Sequence, residues 1–174
     1  MLLKPEDLRI VITGGARGIG AATAELLAAS GANVLVTDVL DDEGAALASR
    51  LGPSVVYRRL DVTEESDWSA AVEEAERAFG GVNALFNNAG IVSWGGVTTQ
   101  SPDDFRRVLD INLTGVFLGI RACAPAIAEA GGGVIVNNSS TAGLQGYAGI
   151  AGYVASKWGV RGLTRAAALD LAAQ

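Results

Sequence analysis

Apolar residues along this chain fall into two alternating patterns. Short, nearly continuous apolar runs mark strands buried on both faces. Longer segments in which apolar residues recur every three or four positions mark helices. The first run is Leu8–Thr13. A helical period follows over Gly18–Ser30, with Ile19, Ala22, Thr23, Leu26 and Leu27 expected on one face and Gly31 closing it. Val34–Asp38 reads as the second strand, Asp42–Leu51 as a helix and Val55–Leu60 as the third strand. Thr63 is placed to cap a helix whose stripe is Trp68, Ala71, Val72, Ala75 and Phe79. Val82–Asn87 is the fourth strand. Ser101-Pro102-Asp103-Asp104 then opens a long helical region, with Pro at the first helical position and carboxylates in the first turn. Pro125 is expected to kink or shorten its far end. Val134–Asn138 is the fifth strand, and the last helix runs from Tyr153. Strands alternating with helices predict a single α/β domain, a doubly wound parallel sheet covered on both faces.

Composition narrows the chemistry. The chain has 174 residues, enough for one well-filled core, and its 49% hydrophobic content and 23 Gly suit many tight strand-to-helix turns. A net charge of −6 without a Lys/Arg cluster argues against nucleic acid as a partner. No apolar run reaches the ~18 residues of a membrane span. The start, Met-Leu-Leu-Lys-Pro, lacks the apolar core of a signal peptide, so no membrane contact and a cytoplasmic location are expected. The chain contains no His, and Cys123 is its single Cys. A Ser-His-Asp triad and a His/Cys zinc site are therefore excluded, no metal is expected, and Cys123 reads as a buried core thiol. Acid–base chemistry must fall to Tyr, Lys, Asp or Glu.

The first strand-to-helix turn is Thr13-Gly14-Gly15-Ala16-Arg17-Gly18-Ile19-Gly20. Glycines there permit positive φ and close approach of backbone to a pyrophosphate, and the helix start offers free N–H groups and a positive dipole end. Asp38 ends the second strand, where a dinucleotide fold meets the adenosine ribose. Its carboxylate would accept from the ribose hydroxyls and repel a 2′-phosphate, favouring NAD over NADP, with Arg17 offsetting part of the repulsion. A helix-capping Asp is the structural alternative.

Three further motifs follow in order: Asn87-Asn88-Ala89-Gly90 after the fourth strand, Ser139-Ser140 after the fifth strand, and Tyr153-Val-Ala-Ser-Lys157 in the last helix. Together with the glycine turn they resemble the short-chain dehydrogenase/reductase family, from Leu8 to Gln174, and most of all its NAD-linked hydroxysteroid and secondary-alcohol dehydrogenases. The resemblance implies a Rossmann-type sheet. Gly14, Arg17, Gly18, Ile19, Gly20 and Asp38 would bind the coenzyme. Asp61 and Val62 would lie at the adenine, as would Asn88, Ala89 and Gly90, which also support the sheet. It makes Asn112, Ser140, Tyr153 and Lys157 catalytic, with Ser140 chosen because it lies 13 positions before Tyr153.

Tyr153 and Lys157, four apart, share one helix face. A nearby ammonium and an oxidised nicotinamide favour the phenolate, so Tyr153 can take a proton from a substrate hydroxyl and return it in reduction. Ser140 would stabilise the substrate oxygen, Lys157 would also bind the nicotinamide ribose, and Asn112 would hold a relay water. The expected activity is transfer of a hydride between a secondary alcohol or ketone and the nicotinamide. An NADP-linked ketoacyl-type reductase and a non-catalytic NAD-binding fragment are the alternatives. Val92, Trp94, Leu144, Gln145, Tyr147 and Ile150 follow strand ends and suggest either an apolar pocket for an apolar alcohol or simple loop packing.

The family's ordinary chain continues into two more strands and a substrate-covering loop, for which residues 1–174 have no counterpart. The final helix has no stop signal, and the fifth strand lacks a partner on one side. Gln174 is therefore not expected to end the folding unit. The resemblance also implies a homo-oligomer, a dimer or tetramer packed through the last two long helices.

Overall fold

The computed structural model describes residues 4–173; the readings placed on Met1–Leu3 and Gln174 lie outside them. Five strands, β1 (Arg9–Thr13), β2 (Asn33–Asp38), β3 (Val55–Arg59), β4 (Ala84–Asn87) and β5 (Val134–Asn137), alternate with helices along the chain. All pair in parallel, in the order β3-β2-β1-β4-β5. The order reverses between β1 and β4, where connections leave in opposite directions and open a crevice at the carboxyl ends of the strands.

Alternating side chains divide the core. Ile10, Ile12, Val34 and Val36 pack toward Ala24 of α1 (Gly18–Ala29) and Leu47 of α2 (Asp41–Leu51). Val11, Leu35 and Leu85 face Trp68, Ala71 and Ala75 of α3 (Glu65–Phe79) and Cys123 and Ile127 of α5 (Gly115–Glu129). The stripe expected on α3 is thus the buried one, and Cys123 is a core thiol whose pKa burial pushes up to about 12. The indole N–H of Trp68 donates to the Val62 carbonyl at 3.0 Å, so the core also fixes the segment that follows β3.

Several local expectations are corrected. On α1 the buried residues are Gly20 and Ala24, while Ile19 and Leu26 are exposed. The helix lies on the sheet through its small residues, because only they allow backbone contact. Thr63 does not cap α3; its N–H and hydroxyl both bind Asp61 Oδ1, and Glu64 holds the cap position. Ser101 does cap α4 (Pro102–Leu109), accepting from Asp104 N at 3.0 Å. Between α4 and α5 the residues Asp110–Thr114 form one π-helical turn, so the interruption falls at Asn112, while the helix runs on through Pro125. The whole stretch Pro102–Glu129 is long and apolar enough to cross a bilayer, contrary to the expectation from run length. Half of its most apolar window is nevertheless buried inside the fold, against β4, α3 and the last helix, α6 (Ala151–Leu171). That helix begins two residues before Tyr153. Along β5, Val134 and Val136 are exposed, and among the described residues only β4 pairs with the strand.

Candidate active site

The glycine turn joins β1 to α1 at the crevice. Gly14 and Gly18 hold φ of +59° and +58°, the left-handed region that side chains avoid. A Cβ on Gly14 would stand 2.8 Å from Ala89 Cα, and one on Gly20 2.2 Å from the Gly14 carbonyl oxygen. Around Gly18 an added Cβ would meet nothing within 4 Å, so that glycine faces open space. Arg17 occupies the N-cap without a side-chain cap bond, which leaves the first-turn N–H groups of α1 for an anion. The turn therefore fits a phosphate-bearing ligand.

Asp38 closes the next side of the crevice. Its Oδ2 accepts from Ala16 N at 3.0 Å, and its Oδ1 from Val39 N at 2.8 Å and Leu40 N at 3.3 Å. One carboxylate thus joins the β2–α2 turn to the glycine turn. It is not the cap of α2, a position held by Leu40. Behind it the Tyr57 hydroxyl lies 2.9 Å from the Asp38 carbonyl oxygen and 2.8 Å from Asp41 Oδ1, and burial together with the Asp41 carboxylate raises its pKa. Arg59 donates to the Val39 carbonyl and to Asp41, bracing the same turn.

On the other side of β1, Asn88 Nδ2 donates to the carbonyls of Thr13 and Gly14, each at 3.0 Å, and Asn88 Oδ1 accepts from Asn138 Nδ2 at 3.2 Å. Asn112 is fully buried. Its amide exchanges two 2.8 Å bonds with the backbone of Ile91 and gives a third, at 3.1 Å, to Ser156 Oγ, which in turn donates to the Tyr153 carbonyl. The π turn makes this reach possible, because the extra residue turns Asn112 out of the helical ladder toward Ile91 and α6.

Lys157 is 4% exposed and donates from Nζ to the Asn138 carbonyl at 2.8 Å. Burial lowers its pKa from the ordinary lysine value. The ammonium lies 5.5 Å from the centroid of the Tyr153 ring. Ser139 donates to the Lys157 carbonyl, and Ser140 Oγ accepts from Ala142 N at 3.1 Å, capping the short turn Thr141–Gly143.

These parts meet in a cleft of about 750 Å³. It brings together Gly14, Arg17, Ile19, Asp38, Asp61, Val62, Asn88, Ala89, Gly90, Tyr153 and Lys157, as well as Val92, Trp94 and Ile150. Asn112 stands directly behind the lining, with Oδ1 3.3 Å from the place of a Cβ on Gly90. Gly18, Gly20, Ser140, Leu144, Gln145 and Tyr147 are not on the lining. Val39, Leu40, Leu60, Ile91, Ile111 and Asn138 are on it without having been expected. Val39, Leu40 and Asn138 follow the ends of β2 and β5, where the position alone was a usable signal; Ile111 has none, since its exposure follows from the π turn.

The model of the short chain dehydrogenase family matches residues 9–174. The chain belongs to the short-chain dehydrogenase family. Among its relatives is the 3-alpha-(or 20-beta)-hydroxysteroid dehydrogenase of Mycobacterium tuberculosis, 48% identical over 161 residues, 92% of this chain and 62% of that one. The trans-4-hydroxycyclohexanecarboxylate dehydrogenase of Sinomonas cyclohexanicum is 46% identical over 170 residues, 92% of this chain and 65% of the relative. The cyclohexanol dehydrogenase of an Acinetobacter strain is 44% identical over 166 residues, 93% and 66% of the two chains. This family member thus spans about two thirds of the length of these relatives.

Proposed function

We propose that residues 1–174 carry the coenzyme-binding and proton-transfer parts of an NAD-linked dehydrogenase of alicyclic secondary alcohols. The observation that carries this reading is the single cleft with the glycine turn and Asp38 at one end and the Tyr153–Lys157 pair at the other. The first-turn N–H groups of α1 would bind the pyrophosphate, Asp38 the adenosine ribose, Asp61 and Val62 the adenine, and Lys157 the second ribose. When bound, the oxidised nicotinamide would supply the two-electron acceptor. Tyr153 would take the hydroxyl proton of the alcohol as it becomes a ketone, and would return it in the reduction. Lys157, held at the Asn138 carbonyl, keeps its ammonium 5.5 Å from the centroid of the Tyr153 ring, within reach of the same end of the cleft. Ser140 is assigned to the substrate oxygen once its hydroxyl leaves the Ala142 N–H. The ring alcohols named for the relatives, and the apolar Val92, Trp94 and Ile150 beside Tyr153, support the substrate class. The homo-oligomer implied by the family belongs to the same proposal.

Asp38 supports NAD and weighs against the NADP-linked ketoacyl reductase reading. A unit charge on a 2′-phosphate at ~4 Å would be repelled by up to roughly 4 kcal/mol at an effective dielectric of ~20. The test is coenzyme titration and cyclohexanol oxidation. NAD should bind tighter than NADP, and Asp38→Ala should narrow the gap. Tyr153→Phe should retain coenzyme binding and lose nearly all turnover; a variant keeping more than about a tenth, a loss of only ~1.4 kcal/mol, would remove Tyr153 as the general base.

A further inference from the structure

The helix that carries Tyr153 and Lys157 starts without a cap of its own. Its N-cap is Ile150, whose side chain offers no acceptor, so the first-turn N–H groups of α6 need partners from elsewhere. The segment between β4 and α4 supplies partners for Ala151 N and Gly152 N. Gly95 N donates to the Gly149 carbonyl at 2.8 Å, and Ala151 N to the Gly95 carbonyl at 3.4 Å. Gly152 N, immediately before Tyr153, donates to Oε1 of Gln100 at 2.9 Å, across 52 positions of sequence.

The fit around this bond is close. A Cβ on Gly152 would stand 3.1 Å from Gln100 Nε2 and 3.2 Å from the Phe105 ring. Gly95, at φ +152°, would place a Cβ 2.7 Å from Gln100 Cα. Gln100 Nε2 is itself buried without a hydrogen-bond partner, a cost that a hydrophobic side chain of the same size would avoid. What Gln100 contributes is therefore its oxygen. The same segment carries Trp94, which is 79% exposed on the lining of the cleft.

We infer that Gln100 is a positioning residue for the proton-transfer pair: it caps α6 from outside the helix and ties the placement of Tyr153 to the segment behind Trp94. The effect on turnover rests on the proposed function, but the cap is testable without substrate. Gln100→Leu removes the acceptor and keeps the bulk. Gln100→Glu keeps an oxygen acceptor, at a helix start where negative charge is favoured. Amide hydrogen exchange on the full chain should show Gly152 and its neighbours exchanging on the order of tenfold faster in the Leu variant, and near the parent rate in the Glu variant. In cyclohexanol oxidation the Leu variant should lose on the order of tenfold in kcat, with the Kd for NAD unchanged within about twofold, and the Glu variant should recover most of that loss. Parent-like exchange at Gly152 in Gln100→Leu, or an equal loss of protection in both variants, overturns the inference. If instead Tyr153→Phe keeps its turnover, the proposed function fails while the exchange measurement still judges the cap.

Discussion

Lys157 shows how a single residue is held at a cost. Its ammonium is almost completely buried and has the Asn138 carbonyl as its hydrogen-bond partner. Burial places the folded pKa below the unfolded value. Below the folded pKa the penalty is fully present; between the two values the unfolded chain binds more protons, so stability rises with pH. Lys157→Met removes this dependence. The melting temperature of the variant minus that of the parent should therefore fall as pH rises from about 7 to about 10, measured by circular dichroism. A difference that stays constant or grows with pH would contradict this account. Lys157, Tyr153 and Asp38 stood out in the sequence by residue type and position, and Asn112 through the family resemblance. Gln100, Asn138 and Ser156 did not. Gly152 N, Lys157 Nζ and Asn112 Nδ2, which donate to them, are brought near only by the fold, and no local pattern encodes such contacts.

Elements were legible where one periodicity governs them. The five strands and the start of α4 lie within a residue or two of the expected bounds, since long apolar runs and a Ser-Pro-Asp-Asp cap have few other solutions. α1 misleads because the hydrophobic stripe and the buried face differ. Its contact surface is chosen by the absence of side chains, at Gly20 and Ala24, and size is invisible to a pattern of apolar positions. Gly20→Ala should therefore cost about 1–3 kcal/mol and weaken NAD binding, because the new Cβ would meet the Gly14 carbonyl. Gly162→Ala, inside α6 with nothing within 4 Å of an added Cβ, should instead stabilise by about 0.5–1 kcal/mol. Urea unfolding of both variants, with coenzyme titration of the first, checks the pair; equal effects at the two positions would refute the packing argument.

At the scale of the whole molecule, β5 leaves one edge unpaired and presents Val134 and Val136 to solvent. Beside it a groove of about 250 Å³ runs between α5 and α6, lined by Ile127, Ile135, Ala167 and Leu171. Such an edge promotes association. Light scattering should show the 174-residue chain growing in apparent mass with concentration, and Val136→Lys, which adds a charge at that edge, should reduce the growth; a parent chain that stays monomeric at all concentrations would rule this out.

The strand order carries a last consequence, for the time course of folding. β1, β2 and β3 pair in sequence order, so the half of the crevice that holds the glycine turn and Asp38 closes short loops and can form early. β4 must then dock against β1 rather than β3, and α6 comes last, bringing Tyr153 and Lys157 from the far end of the chain. Contacts of that range are the slow ones. The glycine turn and Asp38 are therefore expected to be in place before Tyr153 and Lys157 reach the other end of the cleft.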